Sequence, residues 1–79
     1  MYFVYVIYSE SADRYYTGQT GDLDRRLLEH NNGSLGRYTK GKGPWVLKYV
    51  EQVESRSEAM QREKFLKSGK GREWLKDRL

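Results

Sequence analysis

Residues 2–8 read Tyr2-Phe3-Val4-Tyr5-Val6-Ile7-Tyr8. β-branched and aromatic side chains in an unbroken run specify a strand. Both faces of that strand are apolar or aromatic, which places it at the centre of a sheet. Ser9 to Asp13 is a polar loop, and residues 14–19 return as a second strand, antiparallel to the first. Gly18, near the end of that strand, predicts a close backbone approach or a bend.

Residues 22–31 then read as a helix, with Thr20 or Asp22 as its cap and Asn31-Asn32-Gly33 as its stop. Leu23 and Leu27, one turn apart, face inward. A glycine-rich loop follows over residues 33–44. Pro44 has no amide proton for a ladder, so a third strand starts after it, at Trp45 to Val53. Ser55-Arg56-Ser57-Glu58 is a capping box opening a helix to about Lys67. Ser68-Gly69 stops that helix, and residues 71–78 form a last short helix anchoring Trp74 and Leu75. The order β-β-α-β-α-α predicts an α/β (α+β) fold, a small central three-stranded, mostly antiparallel sheet flanked by helices.

The 79 residues make one domain, 1–79. A chain this short buries only about 60% of the surface exposed by its unfolded form. Its two Trp, seven Tyr and two Phe are therefore the large pieces of an economical core. The absence of cysteine excludes disulfides and thiolate metal sites and suits a reducing compartment. The apolar N-terminus is eight residues long, with no basic start and no small-residue cleavage site, which does not make a signal peptide. No stretch approaches the roughly 20 apolar residues that span a bilayer. These features predict a soluble, cytoplasmic protein without a membrane partner.

Charge is unevenly placed. Residues 1–35 hold three Arg against five acids, a net of −2, and residues 36–79 hold twelve Lys/Arg against six acids, a net of +6. A basic half is an electrostatic footprint for a polyanion, although charge alone equally describes a solvated surface.

Five polar residues stand where apolar ones would serve packing. Tyr5 lies inside the first strand on the face of Phe3 and Ile7, and Tyr16 lies inside the second. Arg26 falls between Leu23 and His30 at helical spacing. Glu63 falls between Ala59 and Leu66, bordering the buried stripe of its helix. Each taken singly has an ordinary structural role: rim tyrosines, an Arg26 pair with Asp22 or Glu29, a helix-end histidine, a Glu63 pair with Lys67. Their joint spacing carries the argument for chemistry.

Phe3-Val4-Tyr5, Tyr16-Thr17-Gly18, Arg26, His30 and a later helical Glu63 together resemble the GIY-YIG nuclease superfamily. The first tripeptide stands for GIY and the second for YIG. The stretch Tyr16-Thr17-Gly18-Gln19-Thr20-Gly21-Asp22-Leu23-Asp24-Arg25-Arg26-Leu27-Leu28-Glu29-His30-Asn31 is the most specific part. It is similar to the small stand-alone bacterial members, the UPF0213 group. Tyr38-Thr39, Gly43-Pro44-Trp45 and Ser57-Glu58-Ala59 with Arg62-Glu63 extend the resemblance over essentially the whole chain. Phe3 replaces the Gly of GIY and Thr17 the Ile of YIG. Gln19 stands where the excision-repair nuclease has Lys, and no Asn follows Glu63.

The resemblance implies a metal-dependent endonuclease cutting phosphodiester bonds, in DNA more than in RNA. Glu63 would hold one divalent cation, Mg²⁺ or Mn²⁺, which keeps much of its hydration. Arg26 would grip the phosphate, Tyr5 would be the general base, and Tyr16 would position water or phosphate. A free Tyr, with a pKa near 10, is about one part in a thousand phenolate at pH 7. Arg26 and the metal must therefore lower it, or Tyr5 must pass its proton through a water or His30. Arg37, Lys40 and Lys42 of the glycine-rich loop would hold the nucleic-acid backbone. Family enzymes often carry a separate DNA-binding module. Its absence here leaves room for a protein partner that supplies specificity, or for a module that binds without cutting.

Overall fold

The computed structural model describes residues 1–33 and 42–79. The expected order is found, with strand β1 at Tyr2–Ser9, β2 at Arg14–Thr20 and β3 at Trp45–Val53. Helix α1 spans Leu23–Asn32, α2 Arg56–Lys67 and α3 Gly69–Lys76. The sheet order is β2-β1-β3 and both pairings are antiparallel. The doubly apolar first strand is thus the central one.

The pleat of β1 divides the core. Val4 and Val6 point to one face and pack with Ala59, Leu66 and Leu75 from α2 and α3. Tyr5 and Ile7 point to the other and pack with Trp45, Tyr16, Leu23, Leu27 and Leu47, which puts α1 on that side. Each fully buried aliphatic side chain contributes about 1.5–3 kcal/mol, so this strand dominates the apolar stabilisation.

Local chemistry sets the helix ends. The Asp22 side chain accepts the Arg25 amide at the start of α1. Gly33, with φ 78°, closes α1 in the left-handed region and donates its amide to the Glu29 carbonyl. Ser55 accepts the Glu58 amide, as the capping box requires.

The last helix begins two residues earlier than expected and ends two earlier. Ser68, in extended backbone, caps the end of α2 and accepts the Gly71 amide at the start of α3. One serine therefore serves both helices, and Gly69 is the first residue of α3 rather than a stop. The turn is tight. A Cβ on Gly71 would meet the Phe65 carbonyl oxygen and lie 2.6 Å from Leu66 Cα.

A polar cluster ties β3 to both helices of its face. Arg62 Nε donates to Glu51 Oε1 at 2.5 Å, and the Tyr49 hydroxyl donates to Glu51 Oε2 at 2.5 Å. The Arg62 guanidinium lies 4.6 Å from the Trp74 ring and that of Arg78 3.6 Å from it. This anchors Trp74, as expected, through cations as well as apolar contact.

Candidate active site

The antiparallel register places Gly18 opposite Tyr5. An added Cβ at Gly18 would fall 2.6 Å from the Tyr5 hydroxyl and 2.8 Å from its Cζ. The close approach expected of Gly18 is therefore made by a tyrosine that lies across it. Tyr5 is 1% exposed, yet its hydroxyl is not buried without a partner. It stands 2.8 Å from His30 Nε2, sharing a hydrogen bond with it.

His30 reaches this point from the last turn of α1 and is itself buried. Its ring meets Tyr5 edge-on at 5.7 Å and Tyr16 edge-on at 5.0 Å. Trp45, first residue of β3, closes the cluster 6.5 Å from both His30 and Tyr16. Asn31 fixes the position of Trp45. Its Oδ1 accepts the Trp45 amide at 2.5 Å, and its Nδ2 donates to the Trp45 carbonyl at 3.3 Å. The sequence presents Asn31 as part of a helix stop and as the end of the family-like stretch, and its bridge to backbone fourteen positions away leaves no local sequence signal.

Charges gather around the same hydroxyl. Burial pushes Tyr5 well above the usual tyrosine range, with the neighbouring Tyr16 and Glu63 acting in the same direction. The Arg26 charge and a hydrogen bond from its guanidinium pull the other way and lose to burial. The lowering by Arg26 that a phenolate would need is thus present but outweighed. Burial also pushes His30 below the usual histidine value, and Arg26 adds to this while Glu29 opposes it.

The two remaining site residues also carry their ordinary ion pairs. Arg26 Nε lies 3.4 Å from Glu29 Oε1, and Lys67 Nζ lies 2.7 Å from Glu63 Oε2. The Lys67 ammonium also sits 6.0 Å over the Tyr16 ring. Lys67 thereby links α2 to the aromatic cluster. At the sequence level it was visible only as a partner for Glu63. Lys42 lies beside the end of β1, where its carbonyl accepts the Ser9 hydroxyl. Arg37 and Lys40 lie outside the described residues.

The structure thus brings Tyr5, Tyr16, Arg26, His30 and Glu63, from β1, β2, α1 and α2, to one place. A model of the GIY-YIG catalytic domain matches residues 1–76. The chain belongs to the GIY-YIG family. It is 50% identical over 64 residues to a UPF0213 protein of Halobacterium salinarum, covering 80% of each chain. It is 40% identical over 67 residues to a UPF0213 protein of Clostridium perfringens, covering 85% of this chain and 71% of the relative. The solution NMR structure of a UPF0213 protein from Bacillus halodurans superposes with a TM-score of 0.58 at 35% identity. That match covers 98% of this chain and 84% of the other.

The GIY-YIG domain implies a nuclease acting on nucleic acid, and nucleases of this family generally use a divalent metal. The donor set fits such an ion of the hard, hydrated kind. Among the described residues no cluster of three or more His, Asp or Glu exists, so an all-protein cage is not offered. Glu63 offers one half-buried carboxylate, and a small hard cation binds through one or two carboxylates plus waters and phosphate oxygens. No helix among the described residues is long and apolar enough to cross a membrane.

Proposed function

We propose that this GIY-YIG protein is a divalent-metal-dependent endonuclease that hydrolyses phosphodiester bonds, in DNA by preference. The observation that carries the proposal is the Tyr5–His30 hydrogen bond at 2.8 Å, set among Arg26, Tyr16 and Glu63. A packing tyrosine needs no histidine partner held neutral by burial, and pure binding needs no carboxylate beside it.

Proton movement follows from the electrostatics. Tyr5 is held as the neutral phenol and His30 as the neutral imidazole. Tyr5 therefore works as a relay rather than as a standing phenolate. The attacking water gives its proton to the Tyr5 oxygen while the phenolic proton passes to His30 Nε2. The imidazolium formed is tempered by Glu29, whose charge favours it. Tyr16 borders the same cluster and orients the water or the phosphate.

Arg26 grips the scissile phosphate and offsets the charge that develops on its oxygens. To do so its guanidinium exchanges Glu29, an i,i+3 partner at the helix surface, for phosphate. Glu63 would hold the Mg²⁺ or Mn²⁺, which when bound would supply Lewis-acid stabilisation of developing charge. Lys42 supports the flanking backbone by phosphate contact. Incubation with end-labelled single-stranded, duplex and branched DNA and with RNA, under Mg²⁺, Mn²⁺ or EDTA, tests the proposal. Metal-dependent product is expected, and no product from any substrate contradicts it.

A further inference from the structure

A groove of about 710 Å³ runs along the open edge of β2, between that strand and helices α2 and α3. Its floor is apolar, made by Leu66, Leu75 and Leu79, with Tyr15 and Thr17 on the strand side. Tyr15 is 49% exposed and its ring rests on Tyr8, 4.6 Å away, so one face of a large aromatic is held in place beside open space.

The rim is cationic. Arg14, Lys67, Arg72 and Lys76 line it, and no Asp or Glu stands among the described lining residues. Arg14, Arg72 and Lys76 enter none of the ion pairs among the described residues. The groove also adjoins the candidate active site. Tyr16, packed on His30, and Lys67, paired with Glu63, both belong to its wall.

We infer that this groove is a second nucleotide subsite, which takes a nucleotide flanking the cleaved one with its base out of the stack. The apolar floor and Tyr15 accept the base and sugar, and Arg14, Arg72 and Lys76 accept the phosphates on either side. Stacking on an aromatic with cations tracking the backbone is the chemistry by which unstacked nucleotides are held. The charge complementarity and the shared wall at Tyr16 and Lys67 commit the groove to nucleic acid. This subsite rests on the nuclease proposal for its role, but not for its detection.

The test is an amide-shift NMR titration of the full chain with a 5′-phosphorylated thymidine dinucleotide, its abasic equivalent and inorganic phosphate. The dinucleotide is expected to shift amides of residues 14–17 and 72–76 and to bind at least about fivefold tighter than the abasic probe. Tyr15→Ala is expected to weaken it by a similar factor. Arg72→Ala with Lys76→Ala, both at exposed helix positions, is expected to lower the salt dependence of binding by about two charges. Equal binding of the abasic probe or of phosphate alone, or silent groove amides, would overturn the inference. Groove binding by a protein that cuts nothing would fail the nuclease proposal alone, and cutting with a silent groove would fail only this one.

Discussion

Gly18 faces Tyr5 across the β1–β2 ladder at a distance that no side chain could share. A Cβ there would stand 2.6 Å from the tyrosine hydroxyl. The ring cannot swing aside, because it is 1% exposed and its oxygen is tied to His30. Gly18→Ala is therefore expected to cost about 1–3 kcal/mol, the scale of overpacking a core. It is also expected to lower cleavage at least about tenfold by misplacing the relay. Thermal melting and cleavage rate, measured together, check both effects.

His30 makes stability depend on pH with a definite sign. Its folded value is depressed below 6.5, by burial first and by Arg26 second, with Glu29 opposing, and the rings of Tyr5 and Tyr16 pack edge-on against it. The unfolded chain then binds more protons in the window between the folded value and 6.5, so stability rises with pH through that window. Below the folded value the loss is complete. The melting temperature is expected to fall as pH drops below about 6.5, and His30→Gln is expected to flatten that part of the profile. An unchanged profile in the variant would show that His30 is not held neutral.

Two glycines of α3 are expected to respond oppositely. Gly71→Ala drives a Cβ into the Phe65 carbonyl and the Leu66 backbone, where nothing soft can yield. A loss of at least about 2–3 kcal/mol is expected, in the range of severe packing defects. Gly69→Ala meets nothing within 4 Å. It restricts the unfolded chain and is expected to gain about 0.4–1 kcal/mol. Denaturant midpoints of the two variants give the comparison directly.

Arg62 is expected to matter for the fold and not for the chemistry. It joins Glu51 on β3 to Trp74 on α3. Arg62→Ala leaves the half-buried Glu51 carboxylate with only the Tyr49 hydroxyl. A loss on the order of 1–3 kcal/mol follows from an abandoned polar partner and a lost cation–π contact. Urea denaturation measures it, and cleavage per folded molecule is expected to stay within about twofold of the parent protein.

Much of this was legible in the residues. The two apolar faces of residues 2–8 named the central strand, Pro44 set the start of β3, and Ser55 and Glu58 set the start of α2. Gly18 announced a close approach, though not to what. Periodicity marked Tyr5, Tyr16, Arg26, His30 and Glu63 only as polar residues at or beside apolar positions, and the resemblance to the GIY-YIG pattern joined them as a set. What stayed hidden depended on three-dimensional burial or on distant backbone. That Tyr5 is pushed up rather than down follows from its depth in the sheet, which outweighs Arg26. The Asn31–Trp45 bridge and the double use of Ser68 pair side chains with backbone, a contact with no residue-type signature.

The most direct measurement compares Glu63→Ala with the parent protein in a metal-dependent cleavage assay, with melting curves taken on the same samples. The substitution removes the one carboxylate assigned to the metal and breaks only a partly exposed pair with Lys67, worth about 0–1 kcal/mol. Folding is expected to survive and cleavage to drop at least about a hundredfold, the scale of losing one preorganised electrostatic group. A folded Glu63→Ala protein that still cuts at the parent rate with Mg²⁺ or Mn²⁺ would contradict the assignment of this site.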